Sequence, residues 1–311
     1  MCLGLAGQAA ASPVSAEVAP KIVSTDSYPA RKTPFAGGVT GLADITYSIL
    51  PGYRPLKLDL YRPAGAGAKP LVIYIHGGGW TGGTARNAGA FANFPAVLAD
   101  LASRGYVVAS LNYRLSGEAP FPAAAEDVDA AIRWLKAHAG EYGIDKSRVA
   151  VWGGSAGGQL AALAATDCHP GEAAAESDCV QGSVIWYGVF DFATMPPQRA
   201  RDGSTAEVRH AYLDCLPSNC AGPMAAASAM GHVDATDPPM LLIHGVLDKT
   251  VPVAQSRAMA AKLQGAGVKS QLIEIEGADH SWIAATPEAT RAASLQALQA
   301  TFDFFDATLK P

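Results

Sequence analysis

An apolar strand that runs straight into a glycine-flanked serine is the feature that most constrains this chain. Residues 149–152 are Val-Ala-Val-Trp, residues 153–158 are Gly-Gly-Ser-Ala-Gly-Gly, and an Ala- and Leu-rich helical stretch occupies 159–165. This order predicts a strand, a sharp turn and a helix, with the hydroxyl of Ser155 held strained and exposed at the turn. The helix N-terminus beneath it offers free N–H groups and a partial positive charge, which suit an oxyanion.

The remaining pattern alternates between strands and helices. Alternating apolar residues at 45–49 and 56–60 predict an antiparallel hairpin of two half-exposed strands. A continuous apolar run predicts a strand buried on both faces at residues 71–75, and further strands are predicted at 106–111, 183–187, 240–244 and 269–275. Helical patterns lie between these strands, and a closing helix is predicted at 289–309. We therefore expect an α/β fold with a mostly parallel central sheet and helices on both faces.

Domain limits follow the composition of the chain. Residues 1–38 are rich in Ala, Pro and Ser, and we expect a leader remnant followed by a flexible arm. The first sixteen residues suit the tail of a clipped export signal, with a plain disordered terminus as the open alternative. Residues 39–311 are expected to form one domain, in which 190–237 has no clear strand and is predicted to be a small insertion over the strand ends.

Charge and hydropathy exclude several partners. The net charge is −5 and Lys and Arg form no run, which disfavours nucleic acid and acidic membranes. We expect no integral membrane segment, because no apolar stretch approaches the required length. The oligomeric state is left open.

Four of the five cysteines fall into two local pairs. Cys168 with Cys179, and Cys215 with Cys220, predict two disulfides in an exported, periplasmic or secreted protein. Four free thiols in a cytoplasmic protein are the alternative. Neither pair has zinc-site spacing, so no metal is expected.

Further strand ends carry groups that could act with Ser155. The triplet Gly77-Gly78-Gly79 follows the predicted strand 71–75, and consecutive glycines let backbone N–H groups converge on one point. We predict an oxyanion hole from the N–H groups of Gly78, Gly79 and Ala156, with that of Trp80 as the alternative to one of them.

The chain order Ser155, Asp248, His280 places an acid and a base after two later strands. His280 would accept the serine proton, and Asp248 would fix its tautomer. Asp191, which follows the strand before, is the alternative acid. Structural roles are predicted for the acidic pair at 126–127, as a helix cap or a partner of Arg114, and for the other histidines, namely His76, His138, His169, His210, His232 and His244.

Taken together, these motifs resemble the α/β-hydrolase superfamily over about residues 44–309. The resemblance is strongest to the carboxylesterase branch that includes feruloyl and acetyl-xylan esterases, close to the hormone-sensitive-lipase-like esterases. Gly154 stands where the latter usually have Asp, and their N-terminal helical cap is not evident. The resemblance implies an α/β-hydrolase fold, a Ser–Asp–His triad, an acyl-enzyme and no cofactor.

The hypothesis is therefore a serine carboxylic ester hydrolase acting on a small or aromatic ester, such as a feruloyl or acetyl ester of plant polysaccharide. A serine peptidase or amidase and a non-catalytic binding protein are the alternatives. Aromatic side chains near strand ends could line the pocket, and we expect Trp80, Tyr187 and Trp282 to contact substrate, with Trp186 and Phe190 as further candidates.

Overall fold

The computed structural model describes residues 31–169, 171, 177–197 and 208–310, and within them nine strands form one sheet in the order β1-β2-β3-β5-β4-β6-β7-β8-β9. The strands are β1 (Arg31–Pro34), β2 (Thr40–Ser48), β3 (Leu56–Arg62), β4 (Lys69–Ile75), β5 (Val107–Leu111), β6 (Ile144–Gly154), β7 (Gly182–Trp186), β8 (Met240–Gly245) and β9 (Ser270–Ile275).

The described helices connect these strands. They are α1 (Phe94–Ser103), α2 (Ala123–Ala137), α3 (Ala139–Tyr142), α4 (Ala156–Thr166), α5 (Val208–Leu213), α6 (Ala221–Ala227), α7 (Ala254–Gly265) and α8 (Pro287–Leu309). Short 3₁₀ turns occur at Ala36–Gly38, Ala229–Gly231 and His280–Trp282.

The type of strand pairing changes once across the sheet, from antiparallel to parallel at β5. β1, β2, β3 and β5 pair antiparallel, whereas β5, β4 and β6 to β9 pair parallel. The inner parallel strands β4, β7 and β8 are buried on both faces, whereas the edge strand β9 is partly exposed. This is the expected α/β-hydrolase architecture, and it brings the carboxyl ends of β4, β6, β7, β8 and β9 to one edge.

Two layers of helices cover the parallel strands. On one face, α1 and α8 pack on a core that includes Tyr74, Trp152 and Trp186. Side chains alternate along a strand, so the intervening residues point to the opposite face, where α4 packs on β6 and β7. Every residue of α4 is buried, which explains why its sequence is apolar almost all round.

Some expectations from the sequence were wrong in detail. Residues 31–34 do not belong to a flexible arm, because they pair with β2 as an edge strand and Phe35 packs edge-on against Tyr61. β3 is not half-exposed, because it lies between β2 and β5 and Leu56, Leu58 and Leu60 are fully buried. Within the described part of the predicted insertion, the chain forms α5 and α6. The predicted leader lies outside the described residues.

Among the described residues, no helix has both the length and the apolar character that crossing a membrane requires.

Candidate active site

Ser155 occupies the sharp turn between β6 and α4. Its backbone has φ 58° and ψ −123°, a strained conformation for a residue with a side chain. The turn is held by the Ser155 N–H, which donates to the Trp186 carbonyl oxygen at 3.0 Å. Gly157 allows the helix to approach the neighbouring strand, since a Cβ there would lie 2.1 Å from the Ile75 carbonyl oxygen. The local sequence therefore presents the serine at the sheet edge.

His280 and Asp248 reach the same point from β9 and β8. The Nε2 atom of His280 lies 3.0 Å from the Ser155 Oγ, and its Nδ1 atom lies 2.7 Å from the Asp248 Oδ2. A carboxylate can only accept, so Nδ1 carries the hydrogen and Nε2 is free to accept from the serine hydroxyl. The arrangement can therefore move the serine proton onto His280.

The carboxylate of Asp248 is buried and fully hydrogen-bonded. Its Oδ1 accepts the N–H groups of Thr250 and Val251, each at 2.8 Å. Burial alone would raise the pKa of this carboxyl, but hydrogen bonds from His244 and His280 outweigh it and hold the pKa well below its usual range. Asp248 is therefore ionised throughout the neutral range, as an acid that stabilises an imidazolium must be.

The glycine triplet after β4 lies against the serine turn. Gly78 (φ 125°) and Gly79 (φ 63°) have left-handed backbones, and a Cβ on Gly78 would lie 2.2 Å from the Gly82 carbonyl oxygen. Both glycines and Trp80 line the cleft that contains Ser155. Ala156 is the first residue of α4, so its N–H has no partner within the helix. Of the residues predicted to supply oxyanion donors, Gly78, Gly79 and Trp80 therefore share the cleft with Ser155, and Ala156 follows it directly in the chain.

The cleft has a cavity volume of about 660 Å³. Ser155 and His280 lie in its wall, together with apolar side chains such as Phe91 and Val189. Polar side chains also line it, namely Thr81, Asn87, Lys249, Thr250 and Ser281. The wall therefore offers hydrogen-bonding groups as well as apolar surface.

The aromatic residues divide between the cleft and the core. Trp80 and Tyr187 line the cleft, and the Tyr187 ring lies 4.6 Å from the His280 ring. The expectation that Trp282 contacts substrate was wrong, because its side chain is fully buried and packs edge-on against Trp186 and Tyr187. Trp186 and Phe190 are likewise buried and do not line the cleft.

Asp191, the alternative acid, is hydrogen-bonded elsewhere. Asp191 accepts from the Ala193 N–H and the Thr194 hydroxyl, both within its own turn, and does not line the cleft. The predicted salt bridge of the 126–127 pair is confirmed, since Arg114 lies 2.7 Å from Asp127.

His76 is the histidine that directly precedes the glycine triplet, and a structural role was predicted for it. The His76 ring contacts the Gly77 carbonyl oxygen at 2.8 Å and stacks on Tyr113. Burial lowers the pKa of His76 to about 4, so it is neutral where it supports the glycine loop.

Two buried polar residues near the site carry no signal in the sequence. Gln159 accepts from the Trp80 indole N–H at 2.9 Å and donates to the Ala227 carbonyl oxygen at 2.9 Å. It thereby joins the glycine loop, α4 and α6. His244 was expected only to pack, yet it contacts Asp248. Buried polar contacts of this kind depend on tertiary neighbours that no local spacing reveals.

Outside the cleft lining lie the four cysteines that the structure describes and a nearby cluster of histidine and aspartate side chains. The structure joins Cys168 to Cys179 and Cys215 to Cys220. Ligand atoms of Asp129, His169 and Asp178 lie within 4.8 Å of one another. Because Arg133 pairs with Asp178, this cluster is partly neutralised from within the protein.

Comparison with known proteins agrees with this geometry. The BD-FAE family model matches residues 58–263, and the chain belongs to that family, among the α/β-hydrolase carboxylesterases. It is 32% identical over 254 residues to esterase LipQ of Mycobacterium tuberculosis, which covers 78% of this chain and 58% of LipQ. The chain thus spans little more than half of that relative.

Solved structures share the fold over most of the chain. A truncated carbohydrate esterase from gut microbiota aligns with a TM-score of 0.73 and 26% identity, covering 89% of this chain and 99% of that one. Thermogutta terrifontis esterase 2, phosphonylated by sarin, aligns with a TM-score of 0.70 and 26% identity, covering 86% and 96%.

Proposed function

We propose that this protein is a serine carboxylic ester hydrolase in which Ser155 is the nucleophile, His280 the base and Asp248 the acid. The observation that carries the proposal is the continuous pair of contacts from Ser155 to His280 at 3.0 Å and from His280 to Asp248 at 2.7 Å. Relatives named as esterases support the same chemistry.

In the first half-reaction, the Ser155 Oγ attacks the ester carbonyl carbon while His280 Nε2 takes the serine proton. The N–H groups of Gly78, Gly79 and Ala156 would hold the oxyanion of the tetrahedral intermediate. Collapse of this intermediate breaks the C–O bond to the alcohol, and His280 returns the proton to that oxygen. The acyl group remains on Ser155.

Water completes the cycle. His280 takes a proton from water, whose oxygen attacks the acyl carbon, and the same oxyanion donors stabilise the second intermediate. The Ser155 Oγ leaves with the proton from His280, and the free acid departs. Asp248 stays ionised and stabilises the imidazolium in both half-reactions.

The substrate class proposed is a small or aromatic ester, including acetyl or feruloyl esters linked to carbohydrate. The hydroxyl, amide and amino groups of Thr81, Asn87 and Lys249 could bind a polar alcohol part, while Tyr187 and Phe91 could contact an aromatic acyl part. The similarity to a carbohydrate esterase also favours an ester linked to carbohydrate.

The nucleophile is tested with Ser155→Ala and with a serine-directed phosphonate. We expect the variant to melt at the wild-type temperature and to lose about 10³-fold or more in kcat on a chromogenic short-chain ester. Mass spectrometry should locate the phosphonate on Ser155. Activity only on an aminoacyl anilide would indicate a peptidase, and absence of both turnover and labelling would indicate a binding protein.

The substrate class is tested separately, with acetylated, feruloylated and plain alkyl esters compared by kcat/KM. Long-chain triglycerides should be poor substrates. A sharp rise in activity above the solubility limit of a long-chain ester would contradict this proposal, because it would require a lipid-binding surface.

We also propose that the protein works in an oxidising compartment, periplasmic or secreted. The two disulfides support this location, because such bonds persist mainly outside the reducing cytoplasm. Thiol titration of protein isolated under alkylating conditions tests it, and four free thiols at these cysteines would point to the cytoplasm instead.

A further inference from the structure

His244 is a buried histidine that contacts the same carboxylate oxygen of Asp248 as His280 does. It lies near the end of β8, four residues before Asp248, and its side chain is completely buried. Its Nε2 atom lies 2.8 Å from the Val251 carbonyl oxygen and 3.3 Å from the Asp248 Oδ2. A buried, fully enclosed histidine therefore contacts the turn that carries the proposed acid.

The hydrogen on His244 can be assigned from its partners. The Val251 carbonyl oxygen can only accept, so Nε2 carries the hydrogen. On the other side of the ring, Nδ1 lies 2.7 Å from the Ser256 hydroxyl in the first turn of α7, and this hydroxyl can donate to it. A single tautomer, with the hydrogen on Nε2, thus gives both ring nitrogens a hydrogen-bond partner.

These contacts hold the acid in two ways. Val251 donates its N–H to the Asp248 Oδ1 at 2.8 Å, so fixing the Val251 carbonyl also fixes one donor of the carboxylate. The Nε2 atom of His244 also places positive polarity beside Oδ2, the oxygen that contacts His280. Rotation of the carboxylate away from His280 would break both relationships.

We infer that His244 is a positioning residue for the proposed reaction, which holds the 248–251 turn so that the Asp248 carboxylate stays directed at His280. This inference rests on the proposed function, because it concerns the acid of the same site. It assigns His244 no contact with substrate, and His244 does not line the cleft.

A matched pair of amide variants tests it. In His244→Gln the side-chain NH₂ can reach the place of Nε2 and donate to Val251, whereas in His244→Asn the shorter amide reaches only toward Ser256. We expect H244N to lower kcat about tenfold, the effect of one hydrogen bond, with KM within about twofold. H244Q should retain kcat within about threefold.

Equal kcat values for the two variants, or a loss confined to the melting temperature, would overturn the inference. A second measurement does not depend on turnover. It therefore tests the inference even if a variant folds poorly, and it separates failure of the inference from failure of the proposed function. Long-range ¹H–¹⁵N spectra of the wild-type protein should show His244 protonated at Nε2 and bare at Nδ1. The opposite tautomer would contradict the positioning role even in a protein without esterase activity.

Discussion

The indole N–H of Trp80 donates to the side-chain oxygen of Gln159 at 2.9 Å, which ties the glycine loop to the helix that begins after Ser155. Gln159 lies one turn into α4, and its N–H donates to the Ser155 carbonyl oxygen at 3.0 Å. Tyr212 stacks on Trp80 at 4.4 Å and contacts Gln159 as well. The proposed oxyanion donors on the loop and on the helix are therefore held in one arrangement by a single buried amide.

Removing this hydrogen bond should impair transition-state stabilisation. We expect Gln159→Met and Trp80→Phe each to lower kcat about tenfold, because the oxyanion donors lose their fixed separation. If the hydrogen bond is the cause, the double variant should be no slower than the slower single variant. Steady-state kinetics on the three variants measure this, and multiplicative losses would show that the two residues act independently.

The identity of the acid can be tested with two isosteric changes. Asp248→Asn should lower kcat by about 10³-fold or more, because the amide permits the wrong tautomer of His280. Asp191→Asn should leave kcat near the wild-type value and alter mainly KM or stability, since Asp191 caps its own turn. Loss of chemistry in the second variant would reverse the assignment.

The triad candidates could be predicted from the sequence because each follows a strand that the sequence pattern predicts. Parallel strands deliver their carboxyl ends to one edge, so Ser155, Asp248 and His280 converge without any knowledge of side-chain orientation. The same logic cannot find Gln159 or His244. In a linear pattern, Gln159 is one polar residue in a helix, and only packing of α6 against α4 makes it a buried connector.

The burial of Trp282 and the pairing of β1 also depend on tertiary structure. Trp282 follows a strand end, as the pocket residues do, but Ser281 and Trp282 have positive φ values of 62° and 67° and the indole turns into the core. β1 pairs through its backbone while its side chains are exposed, so it leaves no apolar alternation to detect. Local pattern fixes neither outcome.

Asp129 should make stability depend on pH. Burial and the nearby Asp178 raise its pKa to about 7, although Arg133 and His169 oppose the shift. A carboxyl with a raised folded-state pKa favours folding while protonated, so its stabilising contribution is complete below about pH 4 and is lost as pH rises through about 7. Above that pH the charged form destabilises the fold.

Asp129→Asn should therefore raise the melting temperature only at a pH where Asp129 is ionised. Thermal melts should show little change at pH 4 and a rise in Tm of about 3 °C at pH 8, because the amide cannot ionise. Asp303→Asn, on the exposed surface of α8, is the control and should show no such pH-dependent gain. A rise that is equal at both pH values would indicate a packing effect rather than ionisation.

The two disulfides should differ in what they support. Cys168 follows the C-terminal end of α4, away from the serine turn, and Cys179 is followed by the entry to β7. Cys215 and Cys220 instead join the end of α5 to the start of α6. α5 carries Tyr212, which stacks on Trp80 in the cleft wall, so the second disulfide supports the pocket rim.

We therefore expect Cys215→Ser/Cys220→Ser to raise KM severalfold with little change in Tm, because the loop it closes is short and α5 can shift from Trp80. Cys168→Ser/Cys179→Ser should lower Tm by several degrees with KM nearly unchanged, since closing the longer loop stabilises the fold remote from substrate. Kinetics and melts on both double variants decide the matter, and the reversed pattern would mean that the 168–179 loop supports the pocket rim instead.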